Sequence, residues 1–166
     1  MWKNFTSRRK LLRMVLRAYS DGGARGNPGP AGIGVYICTV DTTPVATYYE
    51  YIQEKTNNYS EYFAVYRLLQ LVKKRCSFAT KVEVFLDSEL VTKQINGEYK
   101  VKNETLQQLH KSVVQLKSEI KIPISFTHIL REYNSIADSL ANKAMDSKNK
   151  EFQWLFDNGG ESGQLQ

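Results

Sequence analysis

The chain has 166 residues, 42% of them hydrophobic and 24% charged, which is the length and composition of one soluble globular domain. Its longest apolar stretches are far too short to cross a membrane, so no membrane association is expected. The two cysteines, Cys38 and Cys76, have no CxxC spacing and are too few for a disulfide framework. Two free thiols indicate a reducing compartment, and we therefore expect a cytoplasmic protein.

The net charge of +6 is concentrated at the N-terminus. Six of the 23 basic residues lie in residues 1–17, which contain no acid, and the other 17 equal the 17 acids in number. Such a segment attracts polyanions, although a solvated chain start is the plain alternative. Met14 could also be the biological start, and an Arg-rich, acid-free leader resembles an organellar transit peptide, which makes organellar import the alternative location. We predict a basic arm over residues 1–13 that need not be ordered.

The first half of the chain predicts three strands followed by a helix. Residues 14–20, 33–38 and 45–52 have the composition of strands, and turn-forming residues separate them. The short connections predict an antiparallel three-stranded meander. Apolar residues at helical spacing then predict a helix that ends near Lys74, with Asn57 or Asn58 as its N-cap.

The second half alternates strands and helices. It predicts a strand at 82–86, helices at 88–95 and 103–120, a last strand at 123–130 and a last helix at 134–145. This order indicates the α/β class, with a mixed sheet flanked by helices. We expect one domain over residues 14–147, followed by a loose C-terminal tail over residues 148–166.

Four acids lie in settings that a structural carboxylate does not need: Asp21, Glu61, Asp87 and Asp138. Asp21 and Asp87 end the first and fourth predicted strands, so they lie side by side at one sheet edge if those strands are central neighbours. Carboxylates that converge in this way require a cation. Hard oxygen ligands without a His/Cys cluster favour Mg²⁺ or Mn²⁺ over zinc. Such ions can activate water and stabilise the leaving oxygen in phosphodiester hydrolysis.

Each acid also has a purely structural interpretation. Asp21 could be a turn aspartate, and Glu61 could be a favourable charge at a helix N-terminus. Asp87 could cap the following helix, and Asp138 could be a solvated helical residue. The joint occurrence of the four settings favours the metal site.

A glycine-rich segment, Asp-Gly-Gly-Ala-Arg-Gly-Asn-Pro-Gly-Pro-Ala-Gly, spans residues 21–32. It is not a P-loop, because no Gly-Lys-Ser/Thr follows, and its setting between antiparallel strands does not fit a dinucleotide fingerprint. The glycines could simply form a turn, but they also allow close backbone approach to a sugar hydroxyl. Asn27, Asn57 and Asn58 add side chains that both donate and accept hydrogen bonds. Such groups suit a shallow minor groove and the 2′-OH that distinguishes RNA from DNA.

Four ordered segments resemble the motifs of type 1 ribonuclease H. Residues 21–32 resemble its first-strand motif, and Thr56-Asn57-Asn58-x-x-Glu61 resembles its first-helix motif. Phe-Leu-Asp-Ser-Glu-Leu-Val at 85–91 resembles the segment of its second aspartate, and residues 134–142 resemble its last helix. The resemblance extends over residues 14–147.

The resemblance implies a five-stranded mixed sheet, three strands antiparallel and then two parallel, flanked by helices. It implies a monomeric endoribonuclease that hydrolyses the RNA strand of RNA–DNA hybrids, with double-stranded RNA as a further candidate partner. Two Mg²⁺ ions would act in the site, and the products would carry 3′-hydroxyl and 5′-phosphate ends. Asp21 would bridge the two ions. Glu61 and Asp87 would complete one metal site, and Asp138 would complete the other.

Substrate contacts are implied by the same motifs. Gly22, Ala24 and Asn27 would approach the 2′-OH groups of the RNA. Asn57 and Asn58 would reach the minor groove, and Thr56 would meet a DNA phosphate. Glu89 stands where the family often has Gln and could still accept a hydrogen bond from a 2′-OH.

Two family features are missing from the sequence. Only residues 97–103 separate two predicted helices, so the basic protrusion that grips the DNA strand is absent, although Tyr99, Lys100 and Lys102 could retain part of that contact. We hypothesise that the basic arm replaces it. The His-containing loop is shortened as well, and strand alternation predicts that His128 faces the core and is not catalytic. Arg131 is the expected cation near the scissile phosphate.

Two other functions fit the same residues. A hybrid- or double-stranded-RNA-binding module without chemistry is one, and the four carboxylates argue against it. The nuclease part of a reverse transcriptase is the other, and no polymerase sequence in these residues supports it.

Overall fold

A computed structural model describes residues 14–156 of the chain. The elements in chain order are β1 (Met14–Ala24), β2 (Gly29–Thr39), β3 (Pro44–Lys55), α1 (Asn57–Arg75), β4 (Ala79–Leu86), α2 (Glu89–Ile95), α3 (Glu104–Glu119), β5 (Ile124–His128), a short 3₁₀ helix (Arg131–Tyr133), α4 (Ser135–Ser147) and β6 (Lys150–Trp154). The basic arm predicted over residues 1–13 lies outside the described residues, so the division into arm, domain and tail stays a prediction.

The strands form one mixed sheet in the order β5–β4–β1–β2–β3–β6. The pairs β1–β2, β2–β3 and β3–β6 are antiparallel, whereas β1–β4 and β4–β5 are parallel. The α/β class and the central pairing of the first and fourth strands agree with the sequence prediction. The prediction of five strands is wrong, because β6 adds a sixth strand beside β3.

β6 lies in the segment that the sequence predicts as a loose tail. Its backbone pairs with β3 from Ala46 opposite Trp154 to Glu50 opposite Lys150. The Trp154 ring meets the Phe78 ring edge-on, with their centroids 6.2 Å apart, and the Arg75 guanidinium lies 5.6 Å from the Trp154 ring centroid. β6 therefore covers donors and acceptors that β3 would otherwise expose at a sheet edge.

α1 begins directly after Thr56, which is its N-cap. The Thr56 Oγ1 accepts a hydrogen bond from the Tyr59 N–H at 3.2 Å, which satisfies one of the free donors of the first turn. The prediction that Asn57 or Asn58 caps the helix is wrong, since both are helical residues with exposed side chains. Their amides are therefore not used in capping.

Helices pack on both faces of the sheet. α1 and α3 lie together on one face, and α4 covers β2 and β3 on the other. Alternate residues of β1 such as Leu16 and Ala18 face α1 and are fully buried. Full burial of a leucine side chain contributes about 1.5–3 kcal/mol. Within residues 14–156, none of the helices has both the length and the apolar character needed to cross a membrane.

Two glycines allow both helix layers to approach the sheet closely. A Cβ atom at Gly22 would lie 2.2 Å from the Ser60 carbonyl oxygen in α1, and one at Gly34 would lie 2.3 Å from the Ala137 carbonyl oxygen in α4. Asp21 is next to Gly22 and is the sheet partner of Gly34. α1 and α4 therefore reach the same part of β1 from opposite faces.

Candidate active site

Asp21 and Asp87 lie side by side where the parallel pairing of β1 and β4 ends. Ser20 and Leu86 are the last paired residues, and each is followed by an aspartate. The prediction that Asp21 ends the first strand is wrong, because β1 continues to Ala24 against β2 alone. The structure nevertheless brings the two aspartates together, since β4 ends just before Asp87.

Glu61 reaches these aspartates from the first turns of α1. The close approach of Gly22 to the Ser60–Glu61 backbone fixes the helix against β1 at this point. The Ser60 hydroxyl also donates to the Thr56 carbonyl oxygen at 2.8 Å, which ties the turn together. As a result, Asp21, Glu61 and Asp87 each offer a carboxylate oxygen within 4.8 Å of the other two.

Asp138 approaches Asp21 from α4. Asn134, the residue before this helix, donates from its side-chain Nδ2 to the Ser20 carbonyl oxygen at 2.9 Å. Its own carbonyl oxygen accepts from the Asp138 N–H at 3.0 Å. The buried Asn134 thereby connects the end of the β1–β4 pairing to the first turn of α4. A hydrogen bond with the Asp138 carboxyl is among the interactions that raise the pKa of Asp21.

The clustered acids are electrostatically unfavourable without a counter-charge. Burial raises the pKa of Asp21 to about 8, and the charge of Asp87 and the hydrogen bond with Asp138 act in the same direction. Burial also raises the pKa of Glu61 to about 7, with a further rise from Asp87, although a hydrogen bond from Ser88 and the charge of Arg131 oppose it. A cation bound between these acids would remove most of this cost.

The four carboxylates line one open cleft of about 520 Å³. Gly22, Ala24, Asn57 and Arg131, all predicted to contact substrate, line it as well. The Ala24 N–H donates to the Asn57 Oδ1 at 2.8 Å, so the glycine-rich segment is attached to the start of α1. The cleft therefore combines anionic groups at its centre with amide and guanidinium groups around them.

A second groove of about 690 Å³ begins on the other side of Asn57. Asn27, Thr56 and Asn58 line it, as does Lys55. The Asn57 N–H donates to the Asn27 Oδ1 at 3.1 Å, which fixes the wall between the groove and the cleft. The two concave surfaces are adjacent, so an extended ligand can contact both.

Glu89 lies outside both concave surfaces. It is the first residue of α2, and its carboxylate forms an ion pair with Lys93 at 2.7 Å. The hydrogen bond from Lys93 lowers the pKa of the Glu89 carboxyl. The residue is exposed near the Asp87 edge of the sheet, and its predicted contact with a 2′-OH stays a prediction.

The prediction that His128 faces the core is wrong, because its side chain is exposed. β5 is an edge strand of the sheet and His128 is its last residue. Alternation places His128 on the same face as the buried Phe126, but at the end of the strand, where that packing no longer covers it. Arg131 is 82% exposed, and its Nη2 lies 3.6 Å from the Asp138 Oδ1. Arg131, not His128, is the cationic side chain among the residues that line this end of the cleft.

Five further residues line the cleft but were assigned no site role from the sequence: Gly23, Arg25, Ala141, Asn142 and Met145. Asn142 lies one helical turn after Asp138, and this spacing could have indicated from the sequence that both residues face the cleft. Arg25 is the single cation in the glycine-rich segment, and its position close to Asp21 in the sequence could have indicated a cleft residue. Met145 follows an apolar pattern that does not distinguish a cleft wall from a core position.

Comparisons with known proteins find relatives that match most of the chain. The family described as Reverse transcriptase-like matches residues 19–144. The chain is 39% identical over 137 residues to the "Bifunctional protein Rv2228c" of Mycobacterium tuberculosis, and the match covers 82% of this chain and 36% of that protein. It is 32% identical over 145 residues to the "Ribonuclease H" of Methylococcus capsulatus, and that match covers 78% of this chain and 88% of the relative. The chain thus spans about a third of the length of its mycobacterial relative.

Solved structures show the same similarity. LC11-RNase H1 in complex with an RNA/DNA hybrid is 41% identical, with a TM-score of 0.76, and the match covers 80% of this chain and 98% of that one. The N-terminal RNase H domain of Rv2228c from Mycobacterium tuberculosis, solved as a fusion with maltose-binding protein, is 38% identical with a TM-score of 0.73. That match covers 81% of this chain and 95% of the solved chain.

Proposed function

Because the chain belongs to the type 1 ribonuclease H family, we propose that it is an endoribonuclease that hydrolyses the RNA strand of RNA–DNA hybrids. The cleavage would depend on two divalent metal ions and would leave 3′-hydroxyl and 5′-phosphate ends. Support for the substrate comes from the similarity to LC11-RNase H1, which was solved with an RNA/DNA hybrid.

The convergence of four carboxylates from separate elements is the observation that carries the proposal. β1, α1, the end of β4 and α4 contribute one acid each to a single cleft. The raised pKa values of Asp21 and Glu61 indicate that the acids are arranged at a cost to the metal-free protein. A module that only binds nucleic acid would gain nothing from four acids that repel phosphate.

The donor set fits divalent ions that prefer oxygen ligands. Mg²⁺ is bound through carboxylates and water, and the three-acid cluster contains no His or Cys that would favour zinc. Asp21, Glu61 and Asp87 would hold one ion, and Asp21 with Asp138 would hold a second. When bound, the ions supply an activated water and stabilise the leaving oxygen of the phosphodiester.

The chain's own residues would bind and orient the substrate around this centre. Arg131 is exposed beside Asp138 and would contact the scissile phosphate. The Asn57 Oδ1 already accepts from Ala24, so its Nδ2 donor is the group that remains for a base edge or a 2′-OH. Thr56 and Lys55 in the adjacent groove would meet a phosphate of the DNA strand.

A non-catalytic module that binds hybrids or double-stranded RNA is the alternative. It shares the groove and the amide groups with the nuclease but needs no carboxylate cluster. Binding alone therefore does not separate the two functions, and cleavage does.

The proposal is tested with end-labelled RNA–DNA hybrid, duplex RNA and duplex DNA, each incubated with Mg²⁺. We expect cleavage of the RNA strand in the hybrid, and loss of this cleavage in Asp87→Asn. Glu119→Gln is the matched control, because it removes one acid from α3 at a surface ion pair with Lys73. Binding of the hybrid without cleavage by the wild-type protein would favour the non-catalytic alternative.

A further inference from the structure

Arg25 is a second guanidinium in the cleft, at a distance from Arg131. Its Nη2 lies 2.6 Å from the Asp146 Oδ1 and 3.5 Å from the Asn142 Oδ1, both on α4. Arg131 instead contacts Asp138, at the start of the same helix. Of the residues that line the cleft, these two arginines are the cations.

The backbone at Arg25 is fixed by hydrogen bonds. The Arg25 N–H donates to the Pro30 carbonyl oxygen at 2.8 Å, and the preceding Ala24 N–H donates to the Asn57 Oδ1. The loop therefore presents the long Arg25 side chain from a defined position. Only the side chain has to move for the guanidinium to change its partner.

The partners of Arg25 form one stripe on α4. Asp138, Asn142 and Asp146 follow each other at intervals of four residues, so they lie on the same helix face. The stripe extends for about 12 Å at a rise of 1.5 Å per residue. Asn142 connects Arg25 to the start of the stripe, because its Oδ1 lies 3.5 Å from the Arg25 Nη2 and its Nδ2 donates to the Asp138 carbonyl oxygen at 3.0 Å. The stripe leads from the carboxylate cluster to Arg25.

The ion pair between Arg25 and Asp146 is exposed to solvent. The two side chains are 49% and 65% exposed, and pairs this exposed contribute little to folding. A phosphodiester is a strong competitor for Arg25, since its two free oxygens match the planar fork of a guanidinium. Arg25 can therefore exchange Asp146 for a phosphate with little loss of folding free energy.

We propose that Arg25 is a substrate-binding residue that leaves Asp146 to bind a backbone phosphate of the cleaved strand, about two helical turns from the Asp138 end of the cleft. Asp146 holds the guanidinium in place when no substrate is bound and competes with the phosphate for it. This assignment rests on the proposed function, since it needs a nucleic-acid strand in the cleft. Asp146→Asn should therefore tighten binding, and loss of the Arg25 guanidinium should weaken it.

The test measures affinity for a short fluorescent RNA–DNA hybrid over a range of salt concentrations, with all variants made in an Asp87→Asn background to prevent cleavage. We expect Arg25→Ala to weaken binding about tenfold, as for a lost hydrogen bond to a charged group. The log–log salt slope should fall by roughly 0.7–0.9, the value for one phosphate contact. Arg25→Lys should keep the slope but recover only part of the affinity, because lysine cannot bind bidentately.

Lys73 and Glu119 provide matched controls, since they form an ion pair of similar exposure away from the cleft. The parent for all these comparisons is the Asp87→Asn protein. Lys73→Ala should leave both the affinity and the salt slope near those of this parent. Asp146→Asn should tighten binding up to about fivefold, the equilibrium effect of losing one exposed pair, whereas Glu119→Gln should not. Thermal unfolding of each variant confirms that the fold is retained.

The outcomes separate this assignment from the proposed function. If Arg25→Ala and Lys73→Ala behave alike while the parent binds hybrid, the role of Arg25 is refuted and the nuclease proposal stands. If the parent does not bind hybrid and the wild-type protein does not cleave it, both are refuted.

Discussion

Asp21 is the acid whose pKa responds to all three of the other carboxylates in the cleft. Burial, Asp87, Asp138 and Glu61 all raise its pKa, which reaches about 8. In the metal-free protein this residue is protonated at a pH at which an aspartate in the unfolded chain is ionised. The folded state therefore binds a proton that the unfolded state has released between about pH 4 and pH 8.

Asp21→Asn should accordingly stabilise the metal-free protein at high pH. A group with a raised acidic pKa lowers the free energy of unfolding as the pH rises, because the unfolded state binds fewer protons. At pH 8 we expect the variant to unfold with a free energy at least about 1.4 kcal/mol above that of the wild type, the equivalent of one pKa unit. At pH 4 the difference should nearly vanish.

Denaturant unfolding in the presence of a chelator measures this effect. A variant that is less stable than the wild type at pH 8, or that shows the same pH slope, would contradict the electrostatic account. Glu119→Gln is a suitable control, because the Glu119 pKa is lowered by its hydrogen bond with Lys73 and its loss should not stabilise the protein.

We expect substitution of Arg131 to lower turnover strongly and substitution of His128 to have little effect. Both are exposed near the sheet edge, but only Arg131 lies within 4 Å of one of the four acids. We expect Arg131→Ala to lower kcat by about 10²-fold, the typical effect of losing one transition-state hydrogen-bond donor. His128→Ala should change kcat by less than about twofold, since surface changes away from a site have small effects.

Steady-state cleavage of a labelled hybrid with Mg²⁺ compares the two variants. A large loss of turnover in His128→Ala with unchanged folding stability would assign proton transfer to the histidine and would refute this assignment. Arg131→Lys should recover part of the activity, because a positive charge is kept near the phosphate.

At the scale of elements, the site depends on how closely α4 approaches β2. A Cβ at Gly34 would lie 2.3 Å from the Ala137 carbonyl oxygen and 2.7 Å from the Ala141 nitrogen, both backbone atoms that cannot move independently. Gly34→Ala should therefore displace α4 and with it Asp138. We expect a loss of about 1–3 kcal/mol in the free energy of unfolding, as for other overpacked sites, together with a loss of cleavage.

Gly23→Ala is the matched control for stability. A Cβ at Gly23 would meet only the Met145 Cε at 3.8 Å, an ordinary contact with a flexible side chain. Its free energy of unfolding should stay within about 0.5 kcal/mol of the wild type. If the two variants are equally stable, the close approach of α4 does not set the position of Asp138.

Element order could be predicted from the sequence, but several ends and faces could not. The strands of the meander, β4 and the helices have clear apolar periodicity, so their existence followed from pattern, whereas the central β1–β4 pairing was only a condition that the structure then met. β6 was missed because five residues with polar neighbours become a strand only through pairing with β3 and contact with Phe78. The prediction that His128 faces the core was wrong, because alternation along a strand does not indicate where the covering helices end.

Within the site, residue identity was easier to predict than residue contacts. The four acids have distinctive neighbours in the sequence, whereas the ion pair of Arg25 with Asp146 joins residues 121 positions apart. Nothing in local composition indicates that these two meet. The capping role of Thr56 was missed for a different reason, because asparagine and threonine are both good caps and only the backbone selects between them.

At the scale of the whole molecule, most of the excess positive charge lies outside the described residues. The excess bases lie in residues 1–17, most of them in the arm outside the described residues, and the rest of the chain is balanced. The loop between α2 and α3 covers only residues 96–103, so it offers no protrusion for gripping DNA. A hybrid bound at the cleft would gain long-range attraction mainly from the arm.

Deletion of residues 1–13 should therefore flatten the salt dependence of hybrid affinity. Each lost phosphate contact lowers the log–log slope by roughly 0.7–0.9, so the loss of several contacts is readily measured. Deletion of residues 157–166, which contain no base, is the control and should not lower the slope. An unchanged slope in the arm deletion would refute the idea that the arm replaces the protrusion.

The most direct test of the metal-dependent nuclease is Mg²⁺-dependent cleavage of an RNA–DNA hybrid by four single variants, Asp21→Asn, Glu61→Gln, Asp87→Asn and Asp138→Asn. Each removes one charge and keeps the shape of the side chain. We predict that the wild type cleaves the RNA strand only when Mg²⁺ is present and that every variant loses at least about 10²-fold in kcat. Cleavage by the wild type without a divalent ion, or undiminished cleavage by any of the four variants, would contradict the account.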